Sequence, residues 1–92
     1  MPRYLVEHPI PHAGELTAVE LQAISQQSQR VQQELQDGIQ WLQSTITEDR
    51  MVSLYIAENV AIIREHARRS GLPIERICRV SAVICPTSDI LN

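Results

Sequence analysis

The sequence predicts an α+β fold with elements in the order β-α-β-β-α-β and a four-stranded antiparallel sheet. Three observations carry this. Two stretches repeat apolar residues at helical spacing and have recognisable caps and stops. Two period-two segments flank a polar turn between them, and a short β-rich run stands at each end. With 92 residues, a single domain over residues 1–92 is expected, near the size where one core just sustains itself and a second copy would help.

The first strand signal is "RYLVEH", closed by the proline-stiffened "PIPHAGEL". In "TAVE", Thr17 and Glu20 have capping-box spacing. Leu21, Ile24, Ser28, Val31 and Leu35 follow at intervals of three and four, with glutamines on the solvated circumference and Gly38 as the expected left-handed stop. The second helix is expected to start at the cap Asn59, run along Val60, Ile63 and Ala67, and stop at Gly71, with Pro73 beyond. Arg64, Arg68 and Arg69 suit the dipole of its later turns. "ICRVSAVI" reads as the last strand and "CPTSDILN" as a tail.

Between the helices, "IQWLQSTIT" and "MVSLYIAE" read as a hairpin. An odd loop, Glu48 to Arg50, would put Leu42, Ile46, Val52, Leu54 and Ile56 on the helix-covered face. Trp41, Gln43, Thr45, Ser53 and Tyr55 would then share the uncovered face with Leu5, Glu7, Arg79 and Ser81. An open face carrying a Trp and a Tyr is expected to pair with a second subunit, giving a homodimer of the dimeric α/β-barrel type around a polar pocket.

Composition narrows the classes of function. A net charge of −3 offers no general attraction to phosphate backbones, so nucleic acid is not expected as a partner. The start "MPRYLVEHPIPH" lacks a signal-peptide pattern, and no segment is apolar enough to cross a bilayer. A cytoplasmic protein without membrane partners is expected. Cys78 and Cys85 would fall on opposite faces of one strand and are expected to be free, buried thiols. The sequence has no Gly-rich phosphate loop, nucleophile elbow, Cys-x-x-Cys pair or zinc-finger spacing, so a nucleophilic hydrolase is unsupported.

Several residues could carry chemistry. Glu7 on an inner strand is either an ion-pair partner of Arg79 or a carboxylate ligand or general base in the pocket. Tyr55 is interface packing or a pocket hydroxyl, and Trp41 packing or pocket wall. His66 follows Ile62 by four and Ile63 by three, beside the buried stripe, as a hydrogen-bonded edge histidine or a ligand leaning towards Glu7 or Tyr55. His8 and His12 in "HPIPH" are read as ordinary loop residues over a chelating pair.

The stretches "RYLVEH", "LTAVELQAISQQS", "IQWLQSTIT", "LYIAEN" and above all "REHARRSGLPIERI" resemble the DUF4242 family of small bacterial proteins, also described as nickel-binding-protein-like. The resemblance runs from about Arg3 to Pro86 and implies a ferredoxin-like fold and a dimer, some relatives being associated with nickel. Glu7, Trp41, Ser44, Tyr55, His66, Gly71 and Pro73 match positions the family commonly fills in the same way. Gln43 and Thr45 stand where relatives often have His and Tyr, Ser53 where they often have Cys, and Glu58 where they often have Pro.

Amides and hydroxyls replace imidazole and thiolate poorly as nickel donors, so a metal site of Glu7, Tyr55 and His66 would be weak and open. The reading is therefore a dimeric, non-enzymatic ligand-binding protein with a pocket of Glu7, Trp41, Gln43, Thr45, Ser53, Tyr55 and Arg79, taking a divalent metal such as nickel or a small organic molecule. The alternative is a small isomerase- or oxygenase-like enzyme with Glu7 or His66 as general base near Tyr55.

Overall fold

The computed structural model describes residues 1–86 together with the backbone of 90–91. Strands β1 (Arg3–Pro9), β2 (Ile39–Ile46), β3 (Arg50–Ala57) and β4 (Arg76–Arg79) form an antiparallel sheet in the order β2-β3-β1-β4. Helices α1 (Ala18–Glu34) and α2 (Val60–Ser70) connect β1 to β2 and β3 to β4. Order and connections are compatible with a small ferredoxin-like fold. A two-residue strand β5 (Val83–Ile84) pairs with β6 (Ile90–Leu91) outside the main sheet. Among the described residues no helix is long and apolar enough to cross a membrane.

The helix signals act as read. Thr17 Oγ1 accepts from the Glu20 amide while the Glu20 carboxylate accepts from the Thr17 amide, satisfying two of the amides that a helix start leaves unpaired. Asn59 caps α2 through the Ile62 amide, and Gly71 ends it at φ 72°. The end of α1 differs from expectation: Gln36, not Gly38, takes the left-handed conformation, at φ 57°. Gly38 packs closely instead: a Cβ there would meet the tip of the Ile62 side chain, which would have to turn aside.

Tyr4, Val6, Ile39, Tyr55, Ala57 and Ile63 form the core, with Leu35, Trp41, Ile62, Ile74 and Ile77 packed against it. Burying side chains the size of Val6 or Ile63 stabilises the fold by about 1.5–3 kcal/mol each. The helix-covered face of the sheet is therefore the one carrying Tyr4, Val6 and His8 on β1 and Met51, Ser53, Tyr55 and Ala57 on β3, all buried.

This reverses the facing expected for β3, and the hairpin explains why. The Thr47 amide donates to the Arg50 carbonyl, closing the turn around Glu48 and Asp49, and Ile46 pairs with Met51. The loop is one residue shorter than expected, and a one-residue slip turns every β3 side chain over. Ser53 and Tyr55 thus face the helices, while Val52, Leu54 and Ile56 lie on the open face, half-buried.

Two further assignments change. A β-bulge between Trp41 and Gln43 leaves Trp41 paired with Tyr55, on the helix side, while Gln43 and Thr45 pair with Leu54 and Val52 on the open side. Arg79 pairs with Tyr4 and so lies on the helix side of β4, exposed near the strand's end. Ser81 lies beyond β4, which stops at Arg79 instead of running on to Ile84. Cys78 is a half-buried free thiol opposite Leu5, and Cys85 is also half-buried, where buried thiols were expected. Residues 87–89 and 92 of the expected tail lie outside the described residues.

Candidate functional site

The sheet divides the expected site residues into two groups. On the open face, Glu7 pairs with Val52 across one ladder and Arg76 across the other. Its ion-pair partner is Arg50, not Arg79: Arg50 Nη1 donates to Glu7 Oε1 at 2.6 Å and to Glu75 Oε2 at 2.6 Å, while Arg50 Nε reaches Asp49 Oδ1 at 3.2 Å. The charge-assisted bonds to Asp49 and then Glu7 raise the Arg50 pKa further above its already high value, and the bond to Arg50 lowers the Asp49 carboxyl. Along the same face away from this cluster lie Leu5, 42 % exposed, and half-buried Val52, Leu54, Ile56 and Cys78. Gln43 and Thr45 are exposed on the same side, and Leu42 at the bulge is 39 % exposed. The face is apolar at its middle and ionic at the hairpin end.

Under the helices lies a second group of polar side chains. Trp41 Nε1 donates to Ser44 Oγ at 2.9 Å, and Ser44 Oγ is 2.7 Å from Ser53 Oγ, two residues before Tyr55 on the same strand face. Tyr55 and His66 meet edge to face with ring centroids 5.4 Å apart. His66 Nε2 donates to the Ser28 carbonyl of α1 at 3.1 Å. His8 Nδ1 donates to the Pro73 carbonyl at 2.9 Å, and its Nε2 is buried without a partner. A carbonyl only accepts, so each bond fixes the proton on the nitrogen that makes it.

Burial dominates the titration of this interior. It pushes the Tyr55 hydroxyl up against the smaller lowering effect of Ser53. It pushes both imidazoles down, against the raising effect of the carbonyl that each one bonds, and proximity to His66 lowers His8 further. The two histidines are neutral where the chain is folded at neutral pH.

Glu7, Tyr55 and His66 therefore do not converge. Tyr55 and His66 touch, but Glu7 stands on the other side of the sheet, bonded to Arg50. Of the expected pocket residues, only Glu7, Gln43 and Thr45 share the open face; Trp41, Ser53 and Tyr55 belong to the interior, and Arg79 to the helix side at the sheet's edge. Among the described residues, no three of His, Cys, Asp or Glu are grouped to hold a metal ion.

Sequence reading missed His8 and Arg50. The sequence reads His8 as a loop residue, yet β1 continues to Pro9, and the alternation Tyr4, Val6, His8 is the signal that it faces inward. Arg50, expected in the loop, is the first residue of β3, and its role depends on the hairpin register. A surface cavity of about 360 Å³ opens elsewhere, between His12, Gly14, Glu15 and Glu48.

The crystal structure of SCO4226 from Streptomyces coelicolor A3(2) is similar in fold, with a TM-score of 0.73 at 15 % identity over 86 % of this chain and 95 % of that one. No curated protein matches. A family model described as nickel responsive protein SCO4226-like matches residues 4–80, from β1 through the end of β4. The nickel-related character expected of the family is met in that description, which is not the DUF4242 label. On a match of this extent, the chain belongs to the SCO4226-like family.

Proposed function

We propose that this chain is a small non-enzymatic ligand-binding protein that works in the cytoplasm as a homodimer, a second copy covering the open sheet face. The observation that carries this is the uncovered middle of that face, where Leu5, Val52, Leu54 and Ile56 run along the sheet from the Glu7–Arg50 pair at the hairpin end. A sheet face of this kind is stabilised by a partner that removes its apolar area from water. Gln43, Thr45 and Glu7 would then supply polar contacts to a small ligand held between the copies.

Nickel is the first ion to try, because of the family's description. The described residues of one protomer do not fit a divalent ion, since no three suitable donors are grouped among them and Glu7 is engaged by Arg50. No coordinating residues are assigned. The enzyme reading loses its geometry: a base beside Tyr55 would have to be His66, and both are 1 % exposed.

Calorimetric titration of metal-stripped protein with nickel, zinc and copper, with light scattering on the same sample, tests the reading. Saturable nickel binding to a dimer supports it. A folded dimer that takes up no ion shifts the ligand to a small organic molecule, and a monomer that binds nothing rejects the reading.

A further inference from the structure

We propose that His8 and His66 form an acid-sensitive latch that holds α2 on the sheet. His66, on α2, ties the helix to α1 through the Ser28 carbonyl, and His8, on β1, ties the segment just past α2 through the Pro73 carbonyl. The second residue is wholly buried and the first 1 % exposed. Their only N–H donors are spent on main-chain carbonyls, so a further proton must go to the nitrogen that makes no bond. For His8 that is Nε2, buried and without a partner, and Ser70 Oγ, one turn beyond His66, is also buried and unbonded. A charge created there has nothing to pair with, and a buried unpaired charge is among the costliest groups a fold can hold.

The groups around the pair do not relieve this. On the same face of the sheet, β1 contributes Tyr4, β3 contributes Tyr55 and β4 contributes exposed Arg79. On α1, Glu20 is spent in the cap, Arg30 is exposed and Glu34 is held by Arg69. On α2, Glu65 is held by Arg68 and Arg69, and Arg64 is exposed. The Arg50, Glu7 and Glu75 cluster lies across the sheet, with Arg76 on that side too. Among the described residues neither ring has an ion pair, and a charge on His66 would oppose one on His8.

The direction follows from linkage. An imidazole that resists protonation in the folded chain takes up its proton on unfolding, so stability is complete above pH 6.5, the ordinary value, and is lost as pH falls below it. Each resisting ring lowers the folded-to-unfolded ratio roughly tenfold per pH unit in that window. Carboxylates such as Glu65, held down to about 2 by Arg68 and Arg69, act at lower pH.

The test uses the full chain. Nitrogen-15 spectra of the imidazoles should show an Nδ1–H tautomer for His8 and an Nε2–H tautomer for His66, both neutral below pH 6.5. Amide protection over Val60–Ser70 should be lost on acidification before that of β1 and β3. His8→Asn and His66→Gln place an amide N–H where each ring nitrogen donates, and together should flatten the loss of stability between about pH 6.5 and 5. Rings that titrate as free imidazole with α2 protection unchanged would overturn the latch. So would an unaltered acid loss in the double variant; should that variant not fold, the wild-type ring titration and exchange decide.

Discussion

Tyr55 and His66 meet edge to face, with ring centroids 5.4 Å apart and planes inclined at 62°. The contact joins the central strand β3 to α2 and stands beside a hydrogen-bonded row running from Ser53 through Ser44 to the indole of Trp41. Polar atoms thus fill part of a core that has no phenylalanine, and they are tolerated because nearly all are bonded.

Breaking this row should cost stability. Ser53→Ala leaves Ser44 short of a partner, and an unpaired buried polar group costs about 1–3 kcal/mol. Urea unfolding followed by Trp41 fluorescence should show a lower midpoint with an unchanged slope. A stability equal to wild type would mean that the row is not a structural element.

Gly38→Ala should be mildly destabilising. It brings a methyl against the tip of the Ile62 side chain, which must turn aside, so the cost should fall at the low end of the about 1–3 kcal/mol of overpacking. Thermal unfolding measures it; a neutral result would show that Ile62 moves aside freely.

The helix cap offers a milder change. Thr17→Ala removes one half of the capping box, worth about 1 kcal/mol, and Thr17→Asn should restore most of it. A chemical denaturation series on the two variants separates the cap from a general effect of the site.

The open-face ion cluster should matter less to folding. Arg50 and Glu7 are 30 % and 28 % exposed in their side chains, so solvent screens the pair, and Glu7→Gln should cost under about 1 kcal/mol. Any ligand that uses the Glu7 carboxylate would be lost at the same time. Equal binding by wild type and the variant would remove Glu7 from the pocket.

Much of the architecture was legible in the residues, for physical reasons. Caps act locally, so Thr17 with Glu20, Asn59 and Gly71 announced the helix ends without any tertiary information. The facing of the sheet was not. Alternation in "MVSLYIA" fits either face, because both of its sets contain apolar residues, and the choice rested on a turn whose length could be read two ways. The bulge at Trp41 compounded this, moving the indole to the side opposite Gln43 and Thr45. The candidate site inherited both errors, since a pocket assembled by parity fails when one strand turns over. Within it, Glu7 was correctly placed on the open face because β1 alternates cleanly from Tyr4 to His8.

The central claim is that a second copy covers the open face, and the mass in solution tests it most directly. Light scattering coupled to size exclusion should give twice the 10.4 kDa of the chain, falling to the single-chain mass in a folded Leu54→Glu variant. A wild-type protein that runs at 10.4 kDa across the accessible concentration range would contradict the account.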